Sequence, residues 1–183
     1  MVINEKGLCT AMKAAFKKQS TGYKVAARIT DDGEEQIILS APGCTVIIAR
    51  ENVPRKVMGL IVEHLGDIPQ PDNAYQVQAN NTQAEIYDIA VPEEPQIVAG
   101  AVVKRTNLAY NGYQIWQRMD NHDVLMVAPA MEDLLDSFGR SVTMTDNGKL
   151  YAEGLVSQLY ILPLQVMQNE MPALHHLAKL QWV

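Results

Sequence analysis

The chain has 183 residues, 48% of them hydrophobic and 20% charged, with a formal net charge of −6. A chain of this length forms one large domain or two small ones and buries roughly 70% of its unfolded surface, so stability requires neither a disulfide nor a structural metal. No apolar run approaches the roughly 20 residues of a membrane-spanning helix, which excludes that class of protein.

Met1-Val2-Ile3-Asn4-Glu5-Lys6 lacks the segments of a secretory signal, so a cytoplasmic location is expected. Leu8, Met12, Ala15 and Phe16 recur at helical spacing, with Asn4 as the cap and Ile3 placed to staple Leu8. Tyr23 to Thr30 alternates, with Tyr23, Val25, Ala27 and Ile29 on one face and Lys24, Ala26, Arg28 and Thr30 on the other. With Ile37 to Pro42 it predicts a β-hairpin, followed by a strand from Cys44 to Ala49. Asn52-Val53-Pro54 opens a second helix, with Asn52 as cap, Pro54 in the first turn, a Val57, Leu60, Ile61 and Leu65 stripe, and Gly66 at its end.

Residues 1–67 thus read as a first α-β-β-β-α unit. Residues 68–96 are rich in Pro, Asn and Gln and read as a connection containing one short strand, Glu85 to Ile89. Gly112-Tyr113-Gln114-Ile115-Trp116-Gln117-Arg118-Met119 aligns without a gap on Gly22-Tyr23-Lys24-Val25-Ala26-Ala27-Arg28-Ile29, and Val124 to Pro129 matches Ile37 to Pro42. Val98, Ala101 and Val102 then take the places of Leu8, Ala11 and Met12, predicting a helix before the second hairpin. The expected fold class is therefore α+β, a tandem duplication of a helix plus antiparallel β-hairpin or meander unit. The second copy, residues 97–183, is elaborated by a helix from Pro129 closed by Gly139, a hairpin around Asp146-Asn147-Gly148, a strand from Leu159 to Leu162, and a terminal helix from Pro172 to Trp182. The apolar residues of that last helix, Leu174, Leu177, Leu180 and Trp182, suggest docking against the core or a partner chain.

Gly7-Leu8-Cys9-Thr10-Ala11-Met12-Lys13-Ala14-Ala15-Phe16 and Val53-Pro54-Arg55-Lys56-Val57-Met58-Gly59-Leu60-Ile61-Val62-Glu63-His64-Leu65-Gly66 carry a resemblance within the first 70 residues. This stretch resembles uncharacterised small proteins encoded by phages and phage-like elements of Firmicutes. The resemblance implies a bacterial or phage cytoplasm and an accessory role, and brings no activity or ligand set with it.

Chemistry is sparse. The chain has no nucleophile elbow, no phosphate-binding Gly-rich loop, no GxGxxG and no HExxH. Cys9 and Cys44 stand far apart and read as small buried hydrophobes. Asn80-Asn81-Thr82 matches a glycosylation sequon, without consequence in a cytoplasm. Of His64, His122, His175 and His176, the adjacent pair projects about 100° apart on a helix and cannot share a metal in the way an i, i+4 pair can. No metal and no cofactor is expected. Lys6, Lys13, Lys17, Lys18, Lys24 and Arg28 make the first thirty residues basic, but an acidic chain without an aromatic platform is not expected to bind nucleic acid.

The sharpest site candidates are the aligned Arg28 and Arg118, with Tyr23, Tyr113 and Trp116 near them in sequence. Two equivalent guanidinium groups facing a cleft would grip a phosphorylated or otherwise anionic ligand, whereas an outward strand Arg ordinarily pairs with a cross-strand carboxylate. The expected function is a non-enzymatic accessory protein that binds a host protein or a small anionic ligand. The alternatives are a self-assembling homo-oligomer, built through the terminal helix and the sheet edges, and a hydrolase using the dispersed carboxylates Asp120, Asp123, Glu132 and Asp133.

Overall fold

The computed structural model describes residues 3–18, 21–81, 83–138 and 141–181. Met1, Val2, Thr82, Gly139 and Trp182, which the sequence reading used, lie outside them. The chain divides into two compact units, Met1–Glu94 with Gly154–Gln158, and Pro95–Glu153 with Leu159–Val183.

In unit 1, helix α1 (Glu5–Phe16) starts where the Asn4 side chain accepts a hydrogen bond from the Gly7 N–H at 2.9 Å. Such a cap contributes about 1 kcal/mol. Leu8, Met12 and Ala15 of α1 are buried, as their spacing requires. Strands β1 (Tyr23–Ile29), β2 (Glu35–Ala41) and β3 (Cys44–Ala49) form an antiparallel meander in which Val25 faces Leu39 and Ile37 faces Ile48. A 3₁₀ turn (Arg50–Asn52) precedes α2 (Arg55–Leu65), so Pro54 rather than Asn52 occupies the cap position, with no side-chain hydrogen bond there. Gly66 ends α2 in the left-handed conformation, φ 82°.

The stretch read as a connection contains two strands, β4 (Ala74–Asn80) and β5 (Gln83–Ile89). They form a hairpin, and β4 pairs with β1. Only Ala74 and Val77 of β4 are buried, which leaves its polar sequence with little apolar alternation to read.

Unit 2 opens on a long strand, β6 (Ile97–Tyr110), where the sequence predicted a helix. Val98, Val102, Val103 and Thr106 are β-branched and favour the pleat over the few apolar positions that happen to fit a helical period. Ala101 and Val103 are buried while Lys104 and Arg105 are exposed. Register against the next strand shifts between Arg105 and Ala109, and the buried Thr106 donates its Oγ1–H to the Ile115 carbonyl at 2.9 Å. Strand β7 (Tyr113–Arg118) follows a two-residue turn in which Asn111 (φ 50°) and Gly112 (φ 81°) join the paired Tyr110 and Tyr113. Asn-Gly is the residue pair that such a turn favours. Then come β8 (Val124–Val127), α3 (Pro129–Leu135), β9 (Val142–Thr145), β10 (Leu150–Glu153), β11 (Ser157–Ile161), β12 (Leu164–Val166) and α4 (Pro172–Leu180).

These strands hydrogen-bond in the order β12-β8-β7-β6-β9-β10-β11-β3-β2-β1-β4-β5. The architecture among the described residues is a single twelve-stranded antiparallel sheet with four α-helices, which corrects the expectation of a duplicated helix-hairpin unit. The aligned hairpins exist, but α1 precedes one and β6 the other, and β3 follows one where α3 follows the other. The aligned glycines also differ. Gly112 sits in an open turn, whereas a Cβ on Gly22 (φ 56°) would lie 2.3 Å from the Val77 carbonyl oxygen of β4.

Both glycines therefore impose the left-handed penalty of about 1–2 kcal/mol on alanine, and Gly22 adds a backbone clash. Urea unfolding should show Gly112→Ala losing about that amount and Gly22→Ala about 3 kcal/mol or more. Equal losses would mean that β4 does not close on Gly22.

Candidate functional site

The structure places Arg28 and Arg118 in different units, each already engaged by neighbouring side chains. Arg28 Nε and Nη2 donate to Gln36 Oε1, its cross-strand partner on β2, at 3.0 and 2.9 Å. Its Nη2 also meets Glu94 Oε2 at 2.8 Å, which holds the 90–94 segment. Arg118 makes a fork on Asp120, Nε to Oδ1 at 3.0 Å and Nη2 to Oδ2 at 2.5 Å. That pairing keeps the Asp120 carboxyl below the usual carboxylate range. Partly exposed pairs of this kind contribute up to about 1 kcal/mol, and their effect here is to fix loop geometry.

Tyr23 is a core residue. Its hydroxyl is 2.8 Å from His64 Nδ1, and the His64 ring stacks on Phe16 with centroids 4.0 Å apart. Burial, reinforced by Glu63, pushes the Tyr23 phenol far above its usual value, so the hydroxyl keeps its proton. Burial also lowers the pKa of His64, with Glu63 opposing. Tyr113 is half-buried at the start of β7. Trp116 is buried and donates its indole N–H to Glu132 Oε1 on α3, while Glu132 Oε2 is 3.1 Å from Arg105 Nη2. Burial raises the Glu132 carboxyl, against the downward pull of Trp116 and Arg105. Of the other carboxylates, Asp123 accepts from Asn121 Nδ2 at 2.7 Å and Asp133 is exposed on α3.

A cavity of about 250 Å³ lies within unit 2, lined by Asn121, His122, Gln168, Pro172, His175, His176 and Lys179. Among the described residues, its lining holds three imidazoles, one amine and two amides, and no carboxylate. Three elements build it. The β7–β8 loop folds back with His122 at φ 64°, its amide donating to the Arg118 carbonyl at 3.1 Å and its carbonyl accepting from the buried Gln117 Nε2 at 3.0 Å. Strand β12 pairs with β8, Val166 facing Val124, and brings Gln168 to the rim. Helix α4 turns His175 and Ala178 inward with Leu174 packed beside them, and leaves Leu177 and Leu180 half-exposed.

The buried His175 places Nε2 2.8 Å from the Val166 carbonyl oxygen. A carbonyl only accepts, so Nε2 carries the proton and Nδ1 is the ring's remaining acceptor when neutral. Sequence reasoning missed this site because strand pairing, not spacing, brings His122 to the helix carrying His175 and His176. Among the described residues, no group of three or more His, Cys, Asp or Glu side chains is placed to hold a metal ion, and no helix is long and apolar enough to cross a membrane. Comparison with protein families, with curated proteins and with solved structures finds no match.

His64 resists protonation when folded but accepts a proton freely when unfolded, so its contribution is complete above the usual histidine value of 6.5 and is lost as pH falls toward its lower folded value. Unfolding free energy measured through that window should decline on the acid side; a flat profile contradicts the assignment. Glu132→Ala leaves the Trp116 N–H buried without its acceptor and should cost about 2–3 kcal/mol in a urea titration. Glu132→Gln, which still accepts, should cost less than half of that.

Proposed function

We propose that this chain is a non-enzymatic binding protein for a small phosphorylated ligand, held in the cavity between the β7–β8 loop and α4. One observation carries the reading: among the described residues, every polar side chain lining the cavity is an imidazole, an amine or an amide, and none is a carboxylate. The Lys179 ammonium supplies a charge-assisted donor to phosphoryl oxygens, and imidazole N–H groups and the amides of Asn121 and Gln168 add further donors. The cavity equals about eight water volumes at roughly 30 Å³ each, enough for a phosphate carrying a small organic group. Arg28 and Arg118, engaged by Gln36 and Glu94 and by Asp120, act as scaffold in this reading. The resemblance of residues 7–16 and 53–66 to phage-encoded proteins supports an accessory role in a bacterial or phage cytoplasm.

Calorimetric titration with inorganic phosphate and with a pentose phosphate tests this directly. Both probes should bind, the donors of the lining meeting the phosphoryl oxygens. His176→Ala combined with Lys179→Ala should weaken it by about tenfold or more, a loss of 1.4 kcal/mol or more, while Arg28→Ala with Arg118→Ala should leave it within about twofold. No binding of either probe, or full binding by the His176/Lys179 variant, overturns the proposal.

A further inference from the structure

His175 stands apart from the rest of the cavity lining. It is 6% exposed, whereas Asn121, His122, Gln168, His176 and Lys179 are all exposed. Pro172, His175, His176 and Lys179 fall at the i, i+3, i+4 and i+7 positions of α4, so one face of the helix supplies the buried member together with exposed ones.

The two ring nitrogens of His175 differ in what they can still do. Nε2 lies 2.8 Å from the Val166 carbonyl oxygen and donates to it. Nδ1 therefore carries a lone pair in the neutral ring, and among the described residues no hydrogen bond reaches it. With Nε2 engaged by β12, Nδ1 is the polar atom that His175 can offer the cavity. The exposed members offer the reverse: Lys179 has donors alone, and His122, His176 and Gln168 each bring at least one N–H. The cavity thus sets a buried acceptor within an outer ring of donor-bearing groups.

An ionised phosphoryl oxygen cannot satisfy Nδ1, because acceptor would then face acceptor. A donor is required, since a buried acceptor left without one is costly. An ammonium is unsuited, because among the described residues the lining has no carboxylate to balance a buried positive charge. A hydroxyl donates without carrying charge.

Resting on the phosphate-binding reading above, we propose that the ligand is a phosphate ester whose carbon skeleton carries a free hydroxyl. Lys179, His176 and Gln168 hold the phosphoryl group at the exposed end, and the hydroxyl donates to His175 Nδ1 at the buried end. The cavity of about 250 Å³ has room for both groups. His175 is then a specificity-determining residue as well as an anchor of α4.

Calorimetry with butyl phosphate beside the pentose phosphate separates the two claims, because both are phosphate monoesters and the butyl compound has no hydroxyl on its carbon chain. Butyl phosphate should bind about tenfold or more weakly than the pentose phosphate, since a site that hydrogen-bonds a hydroxyl discriminates against the analogue lacking it. Nitrogen NMR of histidine-labelled protein supplies the atom: His175 Nδ1 should resonate as an unprotonated nitrogen in the free protein and shift when the pentose phosphate is added. Butyl phosphate bound within about tenfold of the pentose phosphate, a proton on Nδ1 in the free protein, or an Nδ1 resonance unmoved at saturation overturns this inference and leaves the phosphate reading standing. Binding of neither compound overturns both.

Discussion

Strand β7 carries three consecutive buried residues, Ile115, Trp116 and Gln117, and successive side chains of a strand point to opposite faces. Both faces of the strand must therefore be covered. Trp116 meets α3 through the indole hydrogen bond to Glu132, and Ile115 packs with Val124 of β8 and with Ala178 and Leu174 of α4. Without both helices, one large apolar side chain or a buried amide would face water. The placement of α4, and with it the cavity, follows from this requirement.

Helix α4 has a second anchor in the bond between His175 Nε2 and the Val166 carbonyl of β12. The same bond holds one imidazole in a single tautomer and fixes the helix against the cavity wall. Polar residues inside unit 2 thus do structural work and site-building together. Gln117 is the other instance: buried itself, it holds the His122 carbonyl and so the loop that carries the facing imidazole.

What the sequence disclosed followed the strength of local signals. Asn4, Gly66, Pro129 and the Asp146-Asn147-Gly148 turn carry their own conformational preferences, and the elements they bound lie close to where those preferences put them. Residues 97–110 misled because three apolar positions fit a helical period, while the β-branched residues and the Asn111-Gly112 turn were the stronger signals. The apparent repeat rested on eight aligned residues and a second matching run, yet its shared Gly-Tyr start serves two different local needs, a close approach at Gly22 and a hairpin turn at Gly112. For the site, the ordinary reading of a strand Arg describes both guanidinium groups, which have partners beside them in sequence or across the strand. The histidine cavity left no comparable trace, since its two halves are some fifty residues apart and meet only through the pairing of β12 with β8.

Charge also constrains how such a cavity can work. The chain as a whole is negative, so its long-range field repels anions rather than steering them in. The carboxylates of the β7–β8 loop are engaged locally, Asp120 by Arg118 and Asp123 by Asn121, and among the described residues the lining itself has no negative side chain. An anion that binds there must be held by short-range hydrogen bonds, made within a few ångström where screening by salt is weak. Added salt would then relieve the repulsion more than it weakens the contacts, the opposite of a surface that captures its ligand by net charge.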